Sequence, residues 1–470
     1  MTLNNVDTVI ENGTVAFSSN SYKASIAIKD GVIVAVGSDD IMPIADNYID
    51  ASGKYVLPGL IDCHVHVREK PGDDWGIGSK AAALAGLTTI IPFGEYNSEE
   101  KETLPQAINR WKEEAGRESL VDYSFHYILS NTPYIIESLA DAIKMGVTSY
   151  KMFMTYDHRV SDSFIANVMD VVGKNGGIVQ LHAENGDVIE YLMNKSIVEG
   201  NTKPTDFPNT CPPWAEAEAI NRGILLAKMT DCPLYIVHLT TQMGLNRISE
   251  AQLEGQKVWG ETCPQYLLLD ETSLEKIGPF AKIGPPLRPA DGLNQNALWE
   301  GLKNGYLSTI GSDHSPAPSE KKELGWDNIF RAPNGEPIPF GAPSIETMVP
   351  LMFSEGVIKR KLPIWWMSRM LSENPARIFG LYPQKGIIQP GSDADLLIID
   401  PNGKSIIKAE NHQSTTDYTP YENWEITGKP WMTLLRGNIL LNNGKLEQNP
   451  GIGNFIHASA PISPISGMSS

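Results

Sequence analysis

Cysteine is scarce in this chain: Cys63, Cys211, Cys232 and Cys263 are the 4 in 470 residues, and none forms a Cys-x-x-Cys pair. That spacing argues against a disulfide scaffold or a cysteine-rich zinc site and suits a reducing compartment. Long apolar runs are missing as well, since no stretch reaches the ~20 residues that span a bilayer. The opening residues, MTLNNVDTVIENG, have neither the basic start nor the apolar centre of a secretory signal. A cytoplasmic location is the expectation. Positive charge is in deficit, with Lys+Arg 38 against Asp+Glu 56 and a net charge of -18. So acidic a surface repels nucleic acid and anionic membrane and points to a small-molecule partner. Core-forming residues are not lacking. Hydrophobic residues at 41% and charged residues at 20% are ordinary globular usage, which excludes wholesale disorder.

The two ends of the chain share a texture. VDTVIENGTVAF and KASIAIKDGVIVAVGS read as short strands joined at Asn-Gly and Asp-Gly hairpin signals. The same pattern returns in KGIIQPGSDADLLIIDP and TLLRGNILLNNGKLE. One small β-sandwich built from residues 1–57 and 386–455 is therefore predicted. Between them, apolar strands alternate with helical stretches. The strands are VLPGLIDCHVHV, LTTIIPF, DYSFHYI, VTSYKMFM, GIVQLHAE, PLYIVHLT, KVWGETCP and LSTIGSDH. SKAAALAGL, ESLADAIKMG and WAEAEAINRGILLAKMT are among the intervening helices. Such a series over residues 58–385 predicts an α/β chain with a (β/α)8 barrel, a doubly wound sheet being the alternative. The Ser/Pro-rich residues 456–470 read as a flexible tail.

His64 and His66 close the first of these strands. Residues i and i+2 of a strand share a face, so both imidazoles can converge on one metal ion. A bare His-x-His is a weak signal. Recurrence strengthens it, because His182, His238 and Asp313 close three further strands, where barrel active sites are built. Lys151 sits near the end of VTSYKMFM. An ammonium beside divalent ions would be strongly repelled. Lysine belongs there only with its amine converted to an anionic ligand, as a carbamate formed with CO2 would be. By the same alternation Arg68 shares the face of His64 and His66, where it pairs with a neighbouring carboxylate (Glu69, Asp73 or Asp74) or clamps an acidic substrate group. His314 and Cys63 fall on the opposite parity and His126 inside a strand, so none receives a catalytic role; nor do His158, His412 and His457.

The segments KMFMTYDHRVSD, LHAENGDVIEYL, WGETCPQYLLLDE, PPLRPADGLNQNALWEGLKNG, APNGEP and FGLYPQKGIIQPGSDADLLIIDP resemble the dihydropyrimidinase or hydantoinase branch of the amidohydrolase superfamily. The likeness runs along nearly the whole chain. HVHVREKPGDDW resembles allantoinases and dihydroorotases more closely, and SDHSPAPSEKK resembles allantoinases. The resemblance implies a barrel-plus-sandwich hydrolase, commonly a homotetramer. It implies that His64, His66, Lys151 and Asp313 hold one divalent ion, and that His182, His238 and the same lysine, as N6-carboxylysine, hold a second. Zinc suits these ligands, and manganese, cobalt or iron are compatible. A hydroxide bridging ions ~3.5–4 Å apart would then open a C–N bond of a hydantoin- or dihydropyrimidine-like ring. Asp313 would move the proton and Tyr156 would donate to the oxyanion. Asn334 and the backbone of Gly284 would grip the ring amide, although hydantoinases usually carry serine at the latter position. The alternative is an allantoinase- or dihydroorotase-like activity on a polar or carboxylate-bearing ring.

Overall fold

The computed structural model describes residues 5–67 and 72–467. Eight parallel strands carry the central domain: β1 (Leu60–Val65), β2 (Leu87–Gly94), β3 (His126–Ile128), β4 (Ser149–Phe153), β5 (Ile178–His182), β6 (Leu234–Ile236), β7 (Val258–Thr262) and β8 (Thr309–Ile310). Each pairs with the next in chain order. The circle closes just past the strand ends, where the His66 amide donates to the His314 carbonyl at 2.9 Å. This is the (β/α)8 barrel rather than the doubly wound sheet. Its strands are buried on both faces, which explains their near-continuous apolar runs.

Helices clothe the barrel because their apolar residues recur at helical spacing. The helix Leu104–Glu118 buries Leu104, Ala107, Ile108, Trp111 and Ala115, one stripe facing the strands. A capping box closes its start, with the Thr103 amide donating to Gln106 at 2.9 Å.

The two chain ends meet in the second domain. Its seven-stranded sheet sets Tyr55–Pro58 antiparallel beside Leu396–Ile406, with Leu397 opposite Leu57. A four-stranded sheet from residues between Val6 and Asp50 packs on it. Ile10, Ile26 and Ile33 on one sheet meet Val56, Leu396 and Leu434 on the other. Asp30-Gly31 forms the two-residue turn expected, with positive φ at both positions and Lys29 opposite Val32. Asn12-Gly13 does not make a hairpin. It passes the chain from one sheet to the other, and a Cβ on Gly13 would come within 2.7 Å of Val56 Cγ2.

The stretch read as a flexible tail is tied to the barrel as far as residue 467, its last three positions lying outside the described residues. Ile456 and Ala458 donate to the carbonyls of Tyr123 and Gly146 at 2.7 and 3.0 Å, and Ser459 and Ile462 to those of Gly380 and Arg377 at 2.8 Å. These partners lie around the N-terminal ends of the strands. Backbone pairing of this kind needs no apolar period, so composition could not reveal it.

A buried charge cluster joins the two domains. Lys385 Nζ lies 2.5 Å from Asp122, 2.6 Å from Asp395 and 2.9 Å from Asp393, and Arg436 also reaches Asp122. Burial pulls the Lys385 ammonium down, but the Asp395, Asp122 and Asp393 carboxylates outweigh it and hold the group above its ordinary value. Lys385→Met would leave those carboxylates buried without their common partner. The variant should lose about 3–5 kcal/mol of stability in urea titrations. A loss under about 1 kcal/mol would show that water replaces the ammonium.

Candidate active site

His64, His66, Lys151, His182, His238 and Asp313 come together at the C-terminal end of the barrel strands. His64 lies near the end of β1 and His66 follows it, Lys151 lies within β4, His182 ends β5, and His238 and Asp313 follow β6 and β8. Every one of them is buried, Asp313 the most open at 8% exposed. His64 Nε2 lies 3.1 Å and His66 Nε2 3.7 Å from Asp313 Oδ1. Ligand atoms of His64, His66 and Asp313 all lie within 4.8 Å of one another. Lys151 Nζ approaches His64 Nε2 to 3.2 Å, over the Phe93 ring at 4.1 Å. The His182 and His238 rings are 4.4 Å apart, and His238 is 5.3 Å from His64.

Backbone strain is concentrated here. His238, Asp313 and Tyr156 have φ of 36°, 50° and 65°, a region that non-glycine residues seldom occupy and that marks functional sites. Each lies just beyond a strand, where the chain turns sharply to aim its side chain inward.

The donor set suits divalent metal. Burial lowers the pKa of His182, and lowers that of His238 far more, His182, Lys151 and His64 adding to it. Neutral imidazoles are the form that binds metal. Nδ1 of His238 is buried with no hydrogen-bond partner among the described residues, an orphan that an ion would satisfy. Imidazoles, one carboxylate and a lysine that can become an anionic bridge match a zinc-type set.

Carboxylates behind the ligands escaped the sequence reading. Glu261 Oε1 lies 2.6 Å from His64 Nδ1, and Glu184 Oε2 lies 2.8 Å from His182 Nε2. Glu184 carried a usable signal, since it is two residues after His182 and so shares its parity. Asp62 Oδ1 accepts from the amides of His64 and Ser312 at 3.2 and 3.0 Å; burial pushes its carboxyl up to about 6. Asp73 Oδ2 accepts from His314 Nε2 at 3.0 Å, and its other oxygen accepts from Thr415. His314 is thereby turned away from the cluster. His126 is bound on both ring nitrogens, to Ser149 and to the Cys63 carbonyl.

The Cys63 thiol lies 3.5 Å from Oε2 of Glu261, the carboxylate whose other oxygen meets His64. A register irregularity between Asp62 and Val65 lets both neighbours reach the same carboxylate. Burial raises the thiol pKa well above its ordinary value, which leaves it a poor nucleophile.

Among the proposed substrate contacts, Tyr156 and Gly284 come together. The Tyr156 ring lies 4.9 Å from His182 and 5.0 Å from Phe340. A Cβ at Gly284 would fall 2.2 Å from the Tyr156 hydroxyl, so a serine there would have to displace the tyrosine. Asn334 is exposed, and its Oδ1 accepts from the Glu336 amide at 3.1 Å to close the Pro-Asn-Gly turn. Arg68 lies outside the described residues.

Comparison with known proteins agrees with this geometry. The amidohydrolase family model matches residues 55–440. The chain is 38% identical to a D-hydantoinase of Geobacillus stearothermophilus, over 95% of this chain and 96% of that one. It is 34% identical to an L-hydantoinase of Paenarthrobacter aurescens, over 96% and 98%. The crystal structure of dihydropyrimidinase from Brevibacillus agri superposes with a TM-score of 0.90 at 39% identity, covering 97% of this chain and 100% of that one.

Proposed function

The chain belongs to the amidohydrolase family as a cyclic amide hydrolase of the hydantoinase type, and on that footing we propose that it opens a C–N bond of a hydantoin- or dihydropyrimidine-like ring with two divalent metal ions. His64, His66, Asp313 and Lys151 would hold one ion, and Lys151, as N6-carboxylysine, would share the second with His182 and His238. Zinc is the ion this ligand set suits best. Bound there, such ions lower the pKa of a water molecule and polarise the ring carbonyl. What carries the proposal is the convergence of His64, His66 and Asp313 ligand atoms within 4.8 Å, with Lys151 Nζ 3.2 Å from His64.

The protein's own groups do the rest. Asp313 takes a proton from the attacking water and returns it to the ring nitrogen as the C–N bond breaks. Tyr156, whose ring lies 4.9 Å from His182, would donate its hydroxyl to the carbonyl oxygen as negative charge develops. The Gly284 backbone lies against that hydroxyl and offers the ring amide a partner. Phe93, Phe153 and Phe340 surround these groups with apolar surface, which strengthens each charge interaction.

Purified, zinc-loaded protein should open hydantoin and dihydrouracil faster than allantoin or dihydroorotate, read as loss of ring absorbance. Preference for dihydroorotate would instead favour the carboxylate-bearing ring and the Arg68 clamp. No turnover of any of these rings with metal bound would overturn the proposal. Both D- and L-hydantoinases are among the relatives, so each enantiomer of a 5-substituted hydantoin belongs in the panel.

A further inference from the structure

Glu261 bonds to no substrate-facing group, yet it touches ligands of both proposed ions. Its Oε1 accepts from His64 Nδ1 at 2.6 Å and from the His238 amide at 3.1 Å. Its Oε2 accepts from the Tyr235 hydroxyl at 2.9 Å, and the Cys63 thiol lies 3.5 Å away. The carboxylate is wholly buried. The neighbouring backbone makes room for it: a Cβ on Gly311 would come within 2.7 Å of both Glu261 Oε2 and His64 Cβ.

We propose that Glu261 is the positioning residue that sets the metal-binding geometry of His64 and His238 together. Accepting from Nδ1–H fixes the His64 tautomer, so the Nε2 lone pair faces Asp313 and Lys151. The same oxygen holds the His238 amide, in the turn where φ is +36°. One carboxylate oxygen thus sets the separation between a ligand of each ion. An ordinary buried carboxylate would be satisfied by Tyr235 and backbone amides, without a ligand imidazole.

The inference rests on the two-metal reading, and zinc affinity tests the two separately. Zn2+ is titrated into chelator-stripped protein against a competing chelator dye. Glu261→Met, of similar size with no acceptor, should weaken zinc binding by about 10–100-fold. Glu261→Gln keeps an acceptor for His64 and should recover much of that loss. Tyr235→Phe removes the hydroxyl bond to Oε2 while disturbing the same packing, and should stay within about twofold of the parent. Wild-type affinity in Glu261→Met, or in Glu261→Ala should the methionine variant not fold, would overturn the inference. An equal loss in Tyr235→Phe would also overturn it, by showing that packing rather than ligand orientation is at work. A parent protein that binds no Zn2+ would overturn the metal reading itself.

Discussion

Lys151→Ala should strip the site of its second metal ion and cut turnover by about 10³-fold or more. The side chain is 1% exposed, lies 3.2 Å from His64 Nε2 and sits over the Phe93 and Phe153 rings. Left as an ammonium, it would repel divalent ions at a distance where charge interactions are scarcely screened. A carbamate would reverse the sign and offer two oxygens as ligands. Alanine would remove them and leave a cavity beside Phe93. Acetate or propionate in excess should therefore restore part of the activity by placing a carboxylate where the proposed carbamate would stand. Metal content by atomic emission should fall to one ion or fewer in the variant and rise again with the added acid. A Lys151→Ala protein with two ions and unchanged turnover would remove the bridge from the mechanism.

The clustering of the site residues was legible in the sequence because a parallel barrel gives strand ends a fixed meaning. His64 and His66 share a face by alternation, and His182, His238 and Asp313 follow strands whose apolar runs could be seen directly. The third strand was readable too, although in the fold it is split between Asp122–Tyr123 and His126–Ile128. What escaped depends on distance through space. Glu261 is 197 positions from His64, and nothing local to either residue announces the pairing. The Asn12-Gly13 turn carries the same local signal as Asp30-Gly31, but sheet packing decides that one crosses between sheets while the other stays within one. Asn334 shows how one motif can serve two ends: its turn chemistry is satisfied inside its own loop.

Asp313→Asn should lower kcat by about 10²–10⁴-fold while the protein keeps its metal. Asparagine preserves the side-chain size and one ligand oxygen near His64 and His66, which lie 3.1 and 3.7 Å from Asp313 Oδ1. What it loses is the ability to accept a proton from water and pass it to the leaving ring nitrogen. Asp313 is also the most open of the proposed ligands, so it is the one best placed to meet substrate. Its strained backbone, with φ of +50°, turns the carboxylate inward, and asparagine tolerates that region as well as aspartate does. The substitution therefore separates proton transfer from geometry. KM should change far less than kcat, because the base acts on the reacting atoms rather than on binding. Metal analysis alongside the kinetics distinguishes a lost base from a lost ion. Near-normal kcat with the metal content unchanged would mean that another group moves the proton, and Glu184, hydrogen-bonded to His182 at 2.8 Å, would then be a carboxylate to test.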